Sequence, residues 1–307
     1  MAEAFADVRA TRREAGLRRR AEQLAAPLPP LLVAAERVAA TVAQGVHGRR
    51  RVGVGETFWQ FRQYQHGDES TAIDWRQSAR SQRVFVRENE WEAAQSVWLW
   101  RDASPSMAYA SRLAPCTKIE RATLVVLALA ALLARGGERF ALLGEDRRAS
   151  ASRPALDRLA LRLLAPLAAG RDGKETPSLP EVPELPRFAR VVLVGDFLLP
   201  LAAAETLVRS FAGRGIHGHL LQVIDPAEED LPYAGRARFL GLEGEGTVTV
   251  GRVESLRPAY EARFRAHQEG LAAIARAAGW SFASHRTDRP PQAALLGLYN
   301  ALSGAAP

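Results

Sequence analysis

The chain has 307 residues, 47% of them hydrophobic and 24% charged, a balance that supports a globular fold with a sizeable core and excludes a disordered, collagenous or fibrous chain. The single cysteine, Cys116, excludes an intramolecular disulfide framework and a cysteine-based zinc knuckle. The net charge is +7 and only Lys118 and Lys174 are lysines, so the excess is carried by arginine, interspersed with acidic residues as on an ordinary solvated surface.

Residues 1–26 are rich in Arg, Ala and Glu and read as helix, broken by Pro27, Pro29 and Pro30. A second helix is expected over 31–44, with Leu32, Ala35 and Val38 at helical spacing, ended by Gly45 and Gly48. Residues 46–93 are polar and aromatic. Within them FWQFRQY reads as a strand, Gly67-Asp68 as a turn and VFVRENEWE as a further strand. This stretch has no long apolar run of its own, so residues 1–94 are expected to form a helical and extended region packed on the rest.

From residue 95 the pattern changes to alternating strand and helix. Strands are expected at 96–101 (SVWLWR), 139–143, 191–194 (VVLV), 219–224 (HLLQVI), 247–250 (TVTV, an edge strand) and 280–284 (WSFAS). Helices are expected at 119–135, 154–168, 201–212, 259–278 and 291–302, and residues 170–186 form a Gly/Pro-rich loop. Such alternation predicts an α/β fold, a Rossmann-like doubly wound, mostly parallel sheet over 95–307, and the unbroken apolar strands fit burial on both faces. The longest apolar run, 122–134, lies between Arg121 and Arg135 and falls short of the ~20 residues that cross a bilayer. The N-terminus lacks the apolar stretch of a secretory signal, so a cytoplasmic protein without membrane insertion is expected.

In parallel sheets, functional groups gather outside the carboxyl ends of the strands. There lie Asp102, Ser104 and Ser106 in a D-x-S-x-S sequence, Asp196 after VVLV, and Asp225 after HLLQVI. A tight loop can turn Asp102, Ser104 and Ser106 toward one point. The donors are all hard oxygens, as Mg2+ prefers, with Mn2+ or Ca2+ as substitutes. Asp102 and the serines also suit Asx and Ser turns or a helix cap, so spacing alone leaves metal and turn both open; Asp196 adds weight to the metal.

These motifs carry a resemblance. Strand, D-x-S-x-S-M, helix and a later strand-Asp are similar to the metal-ion-dependent adhesion site (MIDAS) of von Willebrand factor A domains. More specifically, the chain resembles the bacterial family catalogued as domain of unknown function 58 (DUF58). The carrying residues are Phe58-Trp59-Gln60-Phe61-Arg62-Gln63-Tyr64, Gly67-Asp68, Ile73-Asp74-Trp75, Ser78-Ala79-Arg80 and Val86-Arg87-Glu88, with Ile224-Asp225-Pro226-Ala227-Glu228, Tyr260 and Thr287-Asp288 downstream. The resemblance implies a von Willebrand factor A-like α/β domain with an N-terminal extension, an Mg2+ site at Asp102, Ser104, Ser106 and Asp196 with Thr176 as a further ligand, and no known catalytic activity. It also implies work beside a MoxR-type AAA+ ATPase, in complex assembly or chaperone-like maturation, with that ATPase or its client as the protein partner. The chain departs from the pattern in three places: a shortened loop with Pro177 directly after Thr176, Gly195 before Asp196, and Arg101 at a position usually apolar.

Other readings stand beside this one. A degenerate, metal-free scaffold would bind through the 46–93 surface. A serine hydrolase would need Ser104 or Ser106 with His217, His219 or His285 as base, but no G-x-S-x-G elbow is present. The absence of a G-x-x-x-x-G-K-[ST] loop excludes a P-loop ATPase. The tryptophans at 59, 75, 91, 98 and 100 lie among arginines, yet they suit burial between sheet and extension better than stacking on nucleic acid.

Overall fold

The computed structural model describes residues 16–23, 52–53, 57–64, 73–80, 83–90, 96–168, 177–186 and 189–303. The chain divides into two compact units, residues 36–94 and residues 1–35 with 95–307. The expected 31–44 helix, the Gly67-Asp68 turn and Thr176 lie outside the described residues.

The smaller unit is a three-stranded antiparallel sheet of β1 (Val52–Gly53), β2 (Thr57–Gln63) and β3 (Phe85–Glu90), with β3 in the middle. The two expected strands are thus β2 and β3, paired with a register irregularity between Phe58 and Gln60. The I-D-W segment leads into a single helical turn, Trp75–Ser78. Ser78 pins that turn to β3: its hydroxyl donates to the Asp74 carbonyl (2.7 Å) and accepts from the Phe85 N–H (2.9 Å).

The larger unit opens with a helix over 16–23, α1. Its sheet comprises β4 (Ser96–Arg101), β5 (Arg139–Leu142), β6 (Arg190–Gly195), β7 (His217–Ile224) and β10 (Ser281–Arg286), all parallel, in the order β10-β7-β6-β4-β5. Helices α2 (Lys118–Gly136), α3 (Arg153–Ala168), α4 (Leu201–Ala212), α5 (Pro226–Asp230), α6 (Val253–Ala277) and α7 (Pro291–Ser303) complete it.

Strand alternation divides the core in two. Val97, Leu99, Val192, Val194, Leu221 and Val223 face a cluster that includes Leu17 and Ala21 of α1 and the apolar sides of α2, α3 and α7. Trp98, Val191, Leu193 and Leu220 face the other cluster, with α4, α6 and Trp280. Helix α2 is apolar nearly all round because it is buried nearly all round, as Val125, Leu129 and Leu132 show at 0% exposure. Its ends are set locally. Thr117 and Glu120 form a reciprocal capping box, and Gly137 closes the helix at φ 75°.

Two expectations are corrected. Helix α6 begins at Val253, six residues before the expected 259, and carries Pro258 inside it. Its first turn is held from outside the helix: Val253 is fully buried with its N–H on the Gly235 carbonyl (3.0 Å), and Glu254 accepts the Gly235 N–H (2.8 Å). That anchoring outweighs the hydrogen bond Pro258 cannot donate. The 247–250 strand is not an edge of the main sheet. It is β9 (Thr247–Val250), paired antiparallel with β8 (Ala237–Leu240) in a separate two-stranded ribbon.

Candidate functional site

Counted along the chain, the main sheet runs 2-1-3-4-5, so the winding reverses between β4 and β6. In sheets of this order the crevice at the carboxyl ends of those two strands is where ligands bind. Asp102 leaves β4 there and Asp196 leaves β6, and the Asp102 N–H donates to the Val194 carbonyl (2.8 Å), tying the two exits together.

Past Asp102 the chain folds into an Asx turn, with Asp102 Oδ1 accepting the Ser104 N–H at 2.7 Å. A 3-10 turn, Pro105–Ala108, follows. These turns bring the hydroxyls inward. Ser104 Oγ lies 3.1 Å from Ser106 Oγ, and the Ser106 hydroxyl donates to Asp196 Oδ2 at 2.6 Å. Asp196 is held at two points: Oδ1 accepts the Leu198 N–H (3.2 Å) and its carbonyl accepts from the Gln222 side-chain amide (2.9 Å). The next residue, Phe197, adopts a left-handed φ of 49°, a strain of about 1–3 kcal/mol for a non-glycine residue. The fixed surroundings maintain it: Phe197 is buried and His267 hydrogen-bonds its carbonyl (2.8 Å). Gly195 leaves the space Asp102 occupies, since a Cβ there would lie 2.9 Å from Asp102 Cβ.

The structure therefore brings Asp102, Ser104, Ser106 and Asp196 together. The turn is present, and Asp102 divides its two oxygens. Oδ1 makes the turn, while Oδ2 is buried with no hydrogen-bond partner. Burial, then the neighbouring Asp196 charge, pushes the Asp102 carboxyl up to about 7 against the opposing Ser104 N–H. An orphaned carboxylate oxygen among hydroxyls and a second carboxylate is a donor set that fits a hard divalent cation. Among the described residues no group of three or more His, Cys, Asp and Glu is placed to hold a metal, so any such ion depends on the serines.

Three residues of this site escaped the sequence. Lys118, at the start of α2, is fully buried and donates to Asp196 Oδ2 at 2.9 Å and to Glu228 Oε1. Burial lowers its pKa, but Asp196 and Glu228 outweigh burial and hold it above its ordinary value. Glu228 also completes a capping box with Asp225 at the start of α5. Glu243, at the tip of the β8–β9 ribbon, accepts the Ser106 N–H (3.3 Å) and the Ser178 hydroxyl (3.0 Å). Glu228 stood in the I-D-P-A-E run that carries the family resemblance, without a role attached to it; for Lys118 and Glu243 the sequence signal was no more than a lysine at a helix start and an acidic residue in a turn.

Other candidates go elsewhere. Asp225 is a structural cap, accepting from the Ala227 and Ser111 N–H groups, both at 2.8 Å. Arg101 points to the α2 face and donates to Thr123 (3.2 Å), and burial lowers its pKa to about 10. His219 pairs with Ser281 and His285 lies beside Arg121; neither is hydrogen-bonded to Ser104 or Ser106, so the hydrolase geometry is not assembled from them. Tyr260 donates to the Glu228 carbonyl (2.5 Å), and the Thr287 carbonyl accepts from Arg121 (2.7 Å). Trp98 is in the core, whereas Trp75 is exposed.

The family described as Protein of unknown function DUF58 matches residues 60–270, a span that takes in the second half of β2, the Asp102 loop, Lys118, Asp196 and Glu243. The chain belongs to this family. Similar relatives are the uncharacterized protein Rv1480 of Mycobacterium tuberculosis and the uncharacterized protein Mb1516 of Mycobacterium bovis. Each is 28% identical over 278 residues, covering 87% of this chain and 86% of the relative. Among solved structures, BatB from Bacteroides thetaiotaomicron aligns with 68% of this chain and 98% of its own (TM-score 0.40, 14% identity). An aerotolerance-related membrane protein from Bacteroides fragilis aligns with 68% and 99% (TM-score 0.42, 13% identity). In this DUF58 chain no helix among the described residues is long and apolar enough to cross a membrane.

Proposed function

We propose that this DUF58 chain is a non-enzymatic protein-interaction module of the von Willebrand factor A-like type, whose adhesion-type site binds Mg2+. The supporting observation is the meeting of two strand exits in one oxygen cluster, with Ser106 Oγ 2.6 Å from Asp196 Oδ2 and Asp102 Oδ2 buried without a partner. Asp102, Ser104, Ser106 and Asp196 would hold the ion, with Thr176 a further candidate. Mg2+ bound there would offer an open coordination position to a partner's carboxylate. The partner proposed from the family resemblance is a MoxR-type AAA+ ATPase or its client.

Calorimetric titration with MgCl2 tests the site: a one-site heat is expected for the wild type and none for Asp102→Asn, with both chains folded. The same substitution is expected to abolish Mg2+-dependent capture of the MoxR-type ATPase. Equal capture in chelator and in Mg2+ would count against the proposal.

A second reading is favoured by Lys118, whose ammonium already sits on Asp196. In it Lys118 is the resident cation and the module binds its partner without metal. Absence of any Mg2+ heat in the wild type selects this reading.

A further inference from the structure

The β8–β9 ribbon is joined to the rest of its unit in an uneven way. Its base is fixed: Tyr233 stacks edge-on against Phe239 (5.8 Å) and hydrogen-bonds Tyr109 (2.9 Å). Neither strand pairs with the main sheet, and Leu240 and Val248 are 62% and 60% exposed. The tip is built for a particular shape. Gly241 N–H donates to the Gly246 carbonyl (2.7 Å), and Gly244 and Gly246 take φ values of 91° and 83°, which a residue with a Cβ rarely adopts. Glu245 folds across the tip, its Oε2 accepting the Glu243 N–H (2.9 Å), and a Cβ at Gly241 would meet that same oxygen at 2.5 Å. The outcome is one carboxylate, Glu243, held out over Ser106 and Ser178.

That carboxylate is close enough to Asp102 for the two like charges to repel. What holds it is donor geometry, the Ser106 N–H and the Ser178 hydroxyl. The same rim is where an acidic group of a partner would arrive if the function proposed above is right. We infer that Glu243 is a built-in stand-in for the partner's carboxylate: the ribbon closes the site on itself, and a partner's Asp or Glu binds by displacing Glu243 and freeing the apolar ribbon. This rests on the interaction-module reading, whose partner carboxylate it keeps, and it adds the control of access. A closed fraction of about 90% would weaken apparent affinity about tenfold, because only the open state binds.

The probe is a fluorescein-labelled peptide with the sequence of the ribbon tip, Gly-Leu-Glu-Gly-Glu-Gly, titrated by anisotropy in Mg2+ and in chelator. Glu243→Gln is expected to bind it at least about tenfold more tightly than the wild type, and a peptide with Gln for the first Glu is expected to lose that gain. In parallel, amide hydrogen exchange over 241–246 is expected to quicken in Glu243→Gln and in the peptide-bound wild type. Equal peptide affinities for wild type and Glu243→Gln, or unchanged exchange at the tip, overturn the inference. The two ideas fail separately. A Mg2+ heat in the wild type with equal peptide affinities leaves the module reading standing and removes the self-ligand. No Mg2+ heat, with tighter peptide binding by Glu243→Gln in chelator, removes the metal and keeps the self-ligand, since its two donors need no ion.

Discussion

Two carboxylates, Asp196 and Glu228, share the Lys118 ammonium, and Asp102 stands beside them with one oxygen unpartnered. A buried charge pair adds little over an apolar replacement of both partners, but deleting one member leaves the others uncompensated, at about 3–5 kcal/mol. Lys118→Met is therefore expected to lose about that much in urea unfolding in chelator. It should also raise the affinity for a divalent cation, because the competing ammonium is gone. Added Mg2+ is then expected to restore part of the lost stability and to stabilise the variant more than the wild type. A loss that is the same with and without Mg2+ would show that the oxygen cluster cannot exchange an ammonium for a metal ion.

At the scale of elements, the main sheet and its covering helices fit together through a few close approaches. Gly218 on β7 lies under the indole of Trp280, and a Cβ there would meet ring atoms at 2.4–2.5 Å. The ring cannot swing away, since it is buried, hydrogen-bonded through Nε1 to the Ile216 carbonyl (3.1 Å) and packed on Phe211 (5.9 Å). Gly218→Ala is thus expected to cost about 1–3 kcal/mol by overpacking, read as a lower thermal midpoint with altered tryptophan fluorescence. An unchanged midpoint would mean that β7 and Trp280 are not packed this closely. Elements with a buried face were legible in the sequence: SVWLWR, VVLV and HLLQVI are strands because their apolar runs are covered on both sides. The ARFL strand was missed because it is largely exposed in alternation with arginine, and its pairing is set by the ribbon turn rather than by a core. Of the site, Asp102, Ser104, Ser106 and Asp196 were legible because topology alone carries strand ends to one crevice. Lys118, Glu228 and Glu243 were not, since their approach spans 78, 110 and 137 residues of chain and no local pattern encodes it.

At the scale of the whole molecule, stability should depend on acid through two buried imidazoles. His219 and His285 are each lowered from 6.5 to about 4. Burial is the first cause for both, reinforced by Arg190 at His219 and by Arg121 at His285, with Asp288 opposing at the latter. Between these values the unfolded chain holds the proton and the folded chain does not, so stability rises with pH. Their contribution is complete above about pH 6.5 and is lost as pH falls toward 4, with a limiting slope of about 1.4 kcal/mol per pH unit for each histidine. Asp102 works the other way, because its folded value near 7 lies above its ordinary 3.8: across the same interval it is the folded chain that holds the extra proton. A wild-type profile alone would mix these signs. The difference between wild type and His219→Gln/His285→Gln isolates the imidazoles, because Asp102 is common to both. Urea unfolding between pH 4.5 and 6.5 is expected to give the variant a slope lower by up to about 2.8 kcal/mol per pH unit. Parallel slopes would mean that both rings take up protons without unfolding, and hence that the β7–β10 side of the sheet admits charge into its packing.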